Sequence, residues 1–226
     1  MARSAQVRGN LDADRVLFVE GVNDCHVSLH IYTVLAGREP DFRIEECGND
    51  DGVLAKLNAL SAASVAPFKT VAAVLDADPK EGRMGIEVRL AQLRGKLEKN
   101  YTIPPEIPAE GLRLEPKQGS KGPPIDVWFM PNNSEDGMLE DLLLAALDED
   151  RAKYVSEVVA KAKDDGVADF GPTQTSKAIV HTYVAWRDPD IPGLGLHIKA
   201  GAFPQLEQGC GKFQDWLERV FPINSV

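Results

Sequence analysis

The chain has 226 residues, a hydrophobic fraction of 43% and a formal net charge of −10. This content can form a core without disulfides, whereas the acidic balance disfavours a general nucleic-acid coating protein, which needs a basic face. No apolar run approaches the roughly 20 residues of a membrane span, so we expect no membrane partner. Residues 1–10 lack the apolar stretch of a secretory signal, and the three cysteines are widely spaced. We therefore expect a cytoplasmic protein.

The first hundred residues alternate between predicted strands and helices. Residues 1–14 are polar and lack periodicity, which predicts a flexible arm. Strands are predicted at 15–21, 41–48 and 68–79, and helices at 23–37, 49–64 and 81–100. The third strand is apolar on both faces, as is typical of a central strand that helices cover on both sides. The order predicts an α/β fold with a parallel sheet flanked by helices.

The rest of the chain is less regular. Proline and glycine crowd residues 101–124, where we expect one short strand at 111–115. A strand is predicted at 125–131, a loop and then a helix within 132–150, and a Gly-rich connector at 193–203. We expect one α/β domain over residues 15–150 and a mostly helical C-terminal extension over 151–226, which can pack on the same domain.

Carboxylates follow two of the predicted strands at the point where each strand ends. Glu20 comes directly after VLFV, and Asp76 and Asp78 come after VAAVL. The carboxyl ends of parallel strands form the edge where open α/β sheets bind ligands, and residues two apart on an extended segment point the same way. Carboxylates that converge there repel one another unless a cation lies among them, and Mg²⁺ prefers oxygen ligands. The competing interpretation is that they are ordinary turn residues or caps.

The segments VEGVND (19–24) and VLDAD (74–78) resemble the two signature motifs of Toprim domains, which occur in topoisomerases, bacterial primases, ribosomal-RNA maturases and overcoming-lysogenization-defect nucleases. The resemblance implies a Toprim-like Rossmannoid fold in which Glu20, Asp76 and Asp78 bind Mg²⁺ or Mn²⁺. It also implies DNA or RNA as partner and a role such as phage defence. Asp24 matches a frequent acidic position of the first motif. The sequence lacks a Walker A motif and a zinc-binding primase module, which favours a nuclease that acts alone.

A third acidic segment, MPNNSEDGMLEDLLL (130–144), resembles a stretch of small Toprim-related proteins. The resemblance implies that Glu140 and Asp141 are further metal ligands, since overcoming-lysogenization-defect nucleases use extra carboxylates for a second metal. Two metals would clamp the attacking and leaving oxygens of a phosphodiester. The alternative is that an acidic pair at a helix start only complements the helix dipole.

Phosphoryl transfer also needs a cation near the developing charge. Arg83 and Lys199 are the catalytic candidates alongside Glu20, and Lys177 is a third basic candidate. For the tryptophans, core packing is the default interpretation. Base stacking requires an exposed ring beside basic residues, which the sequence does not reveal.

Three functions remain open. The first is a metal-dependent nuclease in which Glu20 acts as base, acid or ligand. The second is a binding or assembly module with a protein partner or as a homodimer. The third is a glycosyltransferase whose DxD holds a metal and a diphosphate, although the Glu-Gly motif that precedes Asp76 disfavours it. A haloacid-dehalogenase-type phosphatase is excluded by Pro79 and Lys80 after the DxD.

Overall fold

The computed structural model describes residues 7–63, 67–79 and 85–223. Within these residues, strands β1 to β7 form one sheet in the order β1-β3-β2-β4-β7-β6-β5. The strands are β1 Val7–Gly9, β2 Arg15–Val19, β3 Arg43–Glu46, β4 Thr70–Asp76, β5 Tyr101–Thr102, β6 Leu112–Pro116 and β7 Ile125–Met130. The four central strands run parallel, and the expected α/β fold is confirmed.

Both edges of the sheet differ from the wholly parallel arrangement predicted above. Strand β1 pairs antiparallel with β3, and β6 pairs antiparallel with β7 and with β5. Residues 7–9 therefore form a strand, and the expected flexible arm is wrong for them, while residues 1–6 lie outside the described residues. A short edge strand is held mainly by hydrogen bonds to the free backbone groups of its neighbour. It therefore needs no apolar periodicity from which it could be predicted.

The central strands are apolar on both faces because helices cover both sides of the sheet. In β2, Leu17 and Val19 contribute to the core on one side, and Val16 and Phe18 to the core on the other. This alternation follows from the two-residue period of a strand. In the described residues the helices are α1 Val22–Ala36, α2 Asp50–Ala62, α3 Gly85–Leu97, α4 Leu139–Leu144, α5 Glu149–Asp164, α6 Thr175–Arg187, α7 Leu194–Lys199 and α8 Leu206–Val220. None of these described helices has both the length and the apolar character that a membrane span requires.

The predicted C-terminal extension is helical and packs on one face of the sheet. Side chains of α5, α6 and α8 share a core with α1 and with Trp128 of β7. The indole of Trp128 lies 5.6 Å from the ring of Phe213 and 5.7 Å from that of Trp216, measured between ring centroids. Helices α2 and α3 supply the core of the opposite face.

The Gly-rich stretch at 193–203 is not a connector, because most of it forms helix α7. Gly193 and Gly201 have positive φ angles of 76° and 73° and flank the helix. Gly195 lies inside it, where a Cβ atom would come within 2.7 Å of the His26 carbonyl oxygen. The glycine is therefore explained by the close approach of α7 to α1 and not by a break in the helix.

Candidate functional site

Glu20 and Asp76 meet at the carboxyl ends of β2 and β4. The two strands are parallel neighbours, and Oε1 of Glu20 accepts a hydrogen bond of 2.8 Å from the backbone N–H of Asp76. The structure therefore places these two predicted site residues side by side. Their position at strand ends is the one at which open α/β sheets bind ligands.

The segment before α4 joins the same edge. Ala77 and Gly137 exchange backbone hydrogen bonds of 2.8 and 3.0 Å, and Oδ1 of Asp76 accepts a hydrogen bond of 3.1 Å from the N–H of Leu139. These contacts place the buried carboxylate of Glu140, the residue after Leu139, next to Asp76. The third acidic segment thus adjoins the first two, as the sequence interpretation required.

Asp76, Leu139 and Glu140 line a cleft of about 280 Å³. We call this cleft, together with the adjoining carboxylate of Glu20, the acidic cleft. Its walls include the first residues of α1, the side chains of Asp24, Asp76 and Glu140, and Lys177 of α6. Asp24 is buried and its Oδ2 accepts a hydrogen bond of 3.1 Å from the N–H of Gly21. The sequence marked Asp24 only as a motif position, so its place in the cleft is an addition from the structure.

Burial dominates the electrostatics of the acidic cleft. It raises the pKa of Glu20 to about 7 and that of Asp24 to about 6. The pKa of Asp76 is raised well above its usual range by burial and by the charges of Asp24, Glu20, Asp78 and Glu140. Burial also raises the pKa of Asp78. The carboxylates therefore oppose one another's ionisation, and a cation among them would favour the ionised forms.

Glu140 behaves in the opposite way because Lys177 and His181 of α6 face it. Burial raises its pKa, but the nearby side chain of His181 and the charge of Lys177 outweigh burial and hold the pKa below its ordinary value. The Nζ of Lys177 and the Nε2 of His181 each lie 3.7 Å from Oε1 of Glu140. The two residues are four apart and so share one face of the helix.

Arg89 is a buried cation beneath the acidic cleft that the sequence interpretation missed. Its Nε donates a hydrogen bond of 2.7 Å to the carbonyl oxygen of Asp76, and its guanidinium is paired with Asp50. Its charge lowers the pKa of Glu20 and of Asp78, against the effect of burial. One sequence signal was available, because Arg89 occupies the helical stripe of otherwise apolar buried residues that includes Ile86 and Leu93.

Two predicted site residues, Asp141 and Lys199, are placed differently from the cleft carboxylates. Both oxygens of Asp141 are hydrogen-bonded, one to the N–H of Met138 at 2.8 Å and the other to the hydroxyl of Ser176. Lys199 ends α7, where its charge acts on His30, and it does not line the acidic cleft. The structure therefore does not bring Lys199, one of the predicted catalytic residues, to the carboxylates of the acidic cleft. Arg83 lies outside the described residues.

The carboxylate oxygens of the acidic cleft are of the type that binds a hard cation, but the described side chains are not arranged around a single ion. Within the described ranges, no three Asp, Glu, His or Cys side chains are arranged to hold one ion. Glu20 and Asp76 each turn one oxygen to a backbone N–H. Each retains a second carboxylate oxygen, which is the ligand type that Mg²⁺ and Mn²⁺ prefer.

A family model described as "Protein of unknown function (DUF3226)" matches residues 14–222. The chain belongs to this family. The DUF3226 match contains the sheet from β2 onward, the helical extension and every residue of the acidic cleft. Neither the curated proteins nor the solved structures include a match to the chain.

Proposed function

We propose that the chain is a metal-dependent phosphodiesterase that acts on nucleic acid, with Mg²⁺ or Mn²⁺ bound in the acidic cleft. The observation that carries this proposal is the cluster of Glu20, Asp24, Asp76 and Glu140 at the carboxyl edge of a parallel sheet, where each ionised carboxylate opposes the next. Glu20, Asp76 and Glu140 would hold the cation, with Asp24 and Asp78 beside them. The resemblance to Toprim motifs supports the same assignment.

The groups of the chain have distinct roles in this proposal. A divalent cation supplies positive charge and activates water for attack on phosphorus. Burial raises the pKa of Glu20 to about 7 in the metal-free chain, and a bound cation would favour the ionised carboxylate that serves as its ligand. Lys177, whose Nζ lies 3.7 Å from Glu140, offers a charge to the phosphate oxygens. Arg89 fixes the backbone of Asp76 from below.

The experiment compares the wild-type protein with Glu20→Gln on end-labelled single-stranded DNA, duplex DNA and structured RNA, in Mg²⁺, in Mn²⁺ and in EDTA. We expect cleavage that needs the cation and is lost in Glu20→Gln. Glu157→Gln is the matched control, because Glu157 is an exposed glutamate on α5 outside the cleft. Equal cleavage by Glu20→Gln would assign the activity to a contaminant and contradict the proposal.

A binding or assembly module is the second candidate. It is favoured by the net charge of −10 and by the hydrogen bonds that already occupy oxygens of Glu20 and Asp76. Titration of the metal-free protein with Mn²⁺ in a calorimeter separates the two candidates. Binding that Asp76→Asn abolishes supports the enzyme, whereas a folded protein that neither binds Mn²⁺ nor cleaves any substrate supports the module.

A further inference from the structure

An exposed aromatic groove lies between α5 and α6, away from the acidic cleft. Its volume is about 430 Å³, and Tyr154 and Trp186 are among the residues that line it. Tyr154 is 63% and Trp186 53% exposed, and their ring centroids are 6.2 Å apart at an interplanar angle of 59°. The default of core packing is therefore wrong for Trp186, which lies beyond the buried stripe of α6 formed by Ile179, Val180, Tyr183 and Val184.

Charged side chains border the two rings. Arg151, Arg187 and Asp150 also line the groove. Arg151 forms an ion pair of 2.8 Å with Asp148, whereas Arg187 has neither an ion pair nor a side-chain hydrogen bond to any part of the chain that the structure describes. The groove thus joins exposed π faces to a guanidinium group available for an anion.

This combination suits a nucleobase with its phosphate. Bases stack on exposed aromatic rings whatever their identity, and arginine adds a cation–π or phosphate contact. The carboxylate of Asp150 can accept a hydrogen bond from a base amino group, as carboxylates do from cytosine. Duplex bases are already stacked on each other, so rings of this kind select an unpaired base.

A protein partner is a weaker match to the same surface. A stable interface buries about 800 Å² per partner and involves roughly 20–30 residues on each side. Here the apolar surface beyond the two rings extends to Val158, at 36% exposure, and the neighbouring exposed positions of α5 are charged, namely Glu149, Lys153 and Glu157. The patch has the size of a small planar ligand.

We infer that the groove between α5 and α6 binds an unpaired base of single-stranded nucleic acid, stacked on Trp186 and Tyr154 with Arg187 at the adjoining phosphate. The inference rests on the proposed function and names its substrate class. Lys177 and Trp186 are nine residues apart on α6, a rise of roughly 13–14 Å and a half-turn offset. The groove binds the nucleic-acid strand outside the acidic cleft, so it determines the affinity for the strand and not the rate of the chemical step.

Tryptophan fluorescence tests the inference directly. Of the three tryptophans, Trp128 and Trp216 are each 1% exposed, so Trp186 is the indole that a ligand in solution can reach. In EDTA, we expect a short single-stranded oligonucleotide to quench this emission, and an abasic oligonucleotide with the same number of phosphates to leave it unchanged. Trp186→Ala and Tyr154→Ala should each weaken the binding of a labelled oligonucleotide about tenfold.

Val167→Ala serves as the control, since Val167 is an exposed apolar residue outside the groove, and its affinity should equal that of the wild type. Equal quenching by the abasic strand, or equal affinity for a duplex, would overturn the inference. So would a concentration-dependent dimer that Trp186→Ala abolishes, since a second copy would then cover the groove. If Trp186→Ala cleaves nucleic acid and binds it with wild-type affinity, the inference about the groove is wrong and the proposed function stands. If base-dependent quenching occurs but no cleavage is found, the groove binds a base and the proposed function is wrong.

Discussion

Oε1 of Glu20 accepts the backbone hydrogen bond of Asp76 over 2.8 Å. The same carboxylate that is proposed to hold a cation therefore ties the ends of β2 and β4 together. The bond does not need a negative charge, because the amide oxygen of a glutamine accepts from an N–H equally well. Glu20→Gln thus removes the ionisable group and retains the contact, which makes it the most informative single substitution in the cleft.

The first prediction concerns the pH dependence of stability without metal. Since folding raises the pKa of Glu20 to about 7, the folded chain retains a proton that the unfolded chain has lost, and this contribution to stability disappears as the pH rises from about 4.5 to above 7. We expect Glu20→Gln to gain on the order of 2 kcal/mol relative to the wild type between pH 5 and pH 8.

Urea unfolding in EDTA measures this difference. The comparison between the two proteins is necessary because the lowered pKa values of His26, His30 and His197 act in the opposite direction over part of the same range. Those histidines are present in both proteins and cancel in the difference. A difference that does not change with pH would contradict the raised pKa of Glu20.

The second prediction links cation binding to stability. At pH 8, excess Mg²⁺ or Mn²⁺ should raise the unfolding free energy of the wild type, by about 2.7 kcal/mol at a hundred times the dissociation constant. A cation in the acidic cleft would offset the repulsion between the ionised carboxylates around Asp76. Thermal unfolding with and without the metal measures the effect, and Asp76→Asn should lose it. Equal stabilisation of Asp76→Asn would place the cation elsewhere.

The third prediction uses two glycines of α3, Gly85 at its first residue and Gly95 near its end, whose surroundings differ. A Cβ atom at Gly85 would lie 2.0 Å from the Ala77 carbonyl oxygen and 2.4 Å from the carbonyl carbon of Asp78, whereas nothing lies within 4 Å of one at Gly95. We expect Gly85→Ala to cost about 1–3 kcal/mol and to weaken Mn²⁺ binding by displacing Asp78. Gly95→Ala should stabilise by about 0.5–1 kcal/mol. Urea unfolding and calorimetry report both effects, and unchanged Mn²⁺ affinity in Gly85→Ala would show that the position of Asp78 is unimportant.

The fourth prediction concerns Arg89. Arg89→Met removes both the buried ion pair with Asp50 and the hydrogen bond to the carbonyl oxygen of Asp76, which should cost about 3–5 kcal/mol. Lys161→Met is the control, since Lys161 forms a solvent-exposed pair with Asp165 at 2.7 Å and should change stability by less than about 1 kcal/mol. Chemical denaturation of the two variants gives both values. Similar small costs would mean that Arg89 does not support the backbone of the cleft.

The fifth prediction separates the adjacent acids of α4. Asp141 uses both oxygens within the fold, so Asp141→Ala should lower stability by about 1–2 kcal/mol, as the loss of a helix cap does. Glu140 faces the cleft, so Glu140→Gln should reduce Mn²⁺ affinity with little loss of stability. Calorimetric titration and urea unfolding of each variant distinguish the roles. Loss of Mn²⁺ binding in Asp141→Ala at unchanged stability would restore Asp141 as a ligand.

The order of strands and helices from residue 15 to residue 100 was readable because apolar periodicity reports directly which faces of an element are buried. The convergence of Glu20 and Asp76 followed from the same information, since the carboxyl ends of parallel strands share one edge. By itself, the sequence therefore determined the α/β class and the position of the acidic cleft at that edge.

Only the tertiary structure decided which groups face those carboxylates. Lys177 and His181 approach Glu140 from a helix that begins 35 residues later in the sequence, and Arg89 reaches Asp76 from beneath. Periodicity tells whether a face is buried and not which element covers it, so pairings across long chain separations leave no local signal. For the same reason the edge strand β1, the packing of α7 on α1 and the exposure of Trp186 emerged only when the elements were placed against one another.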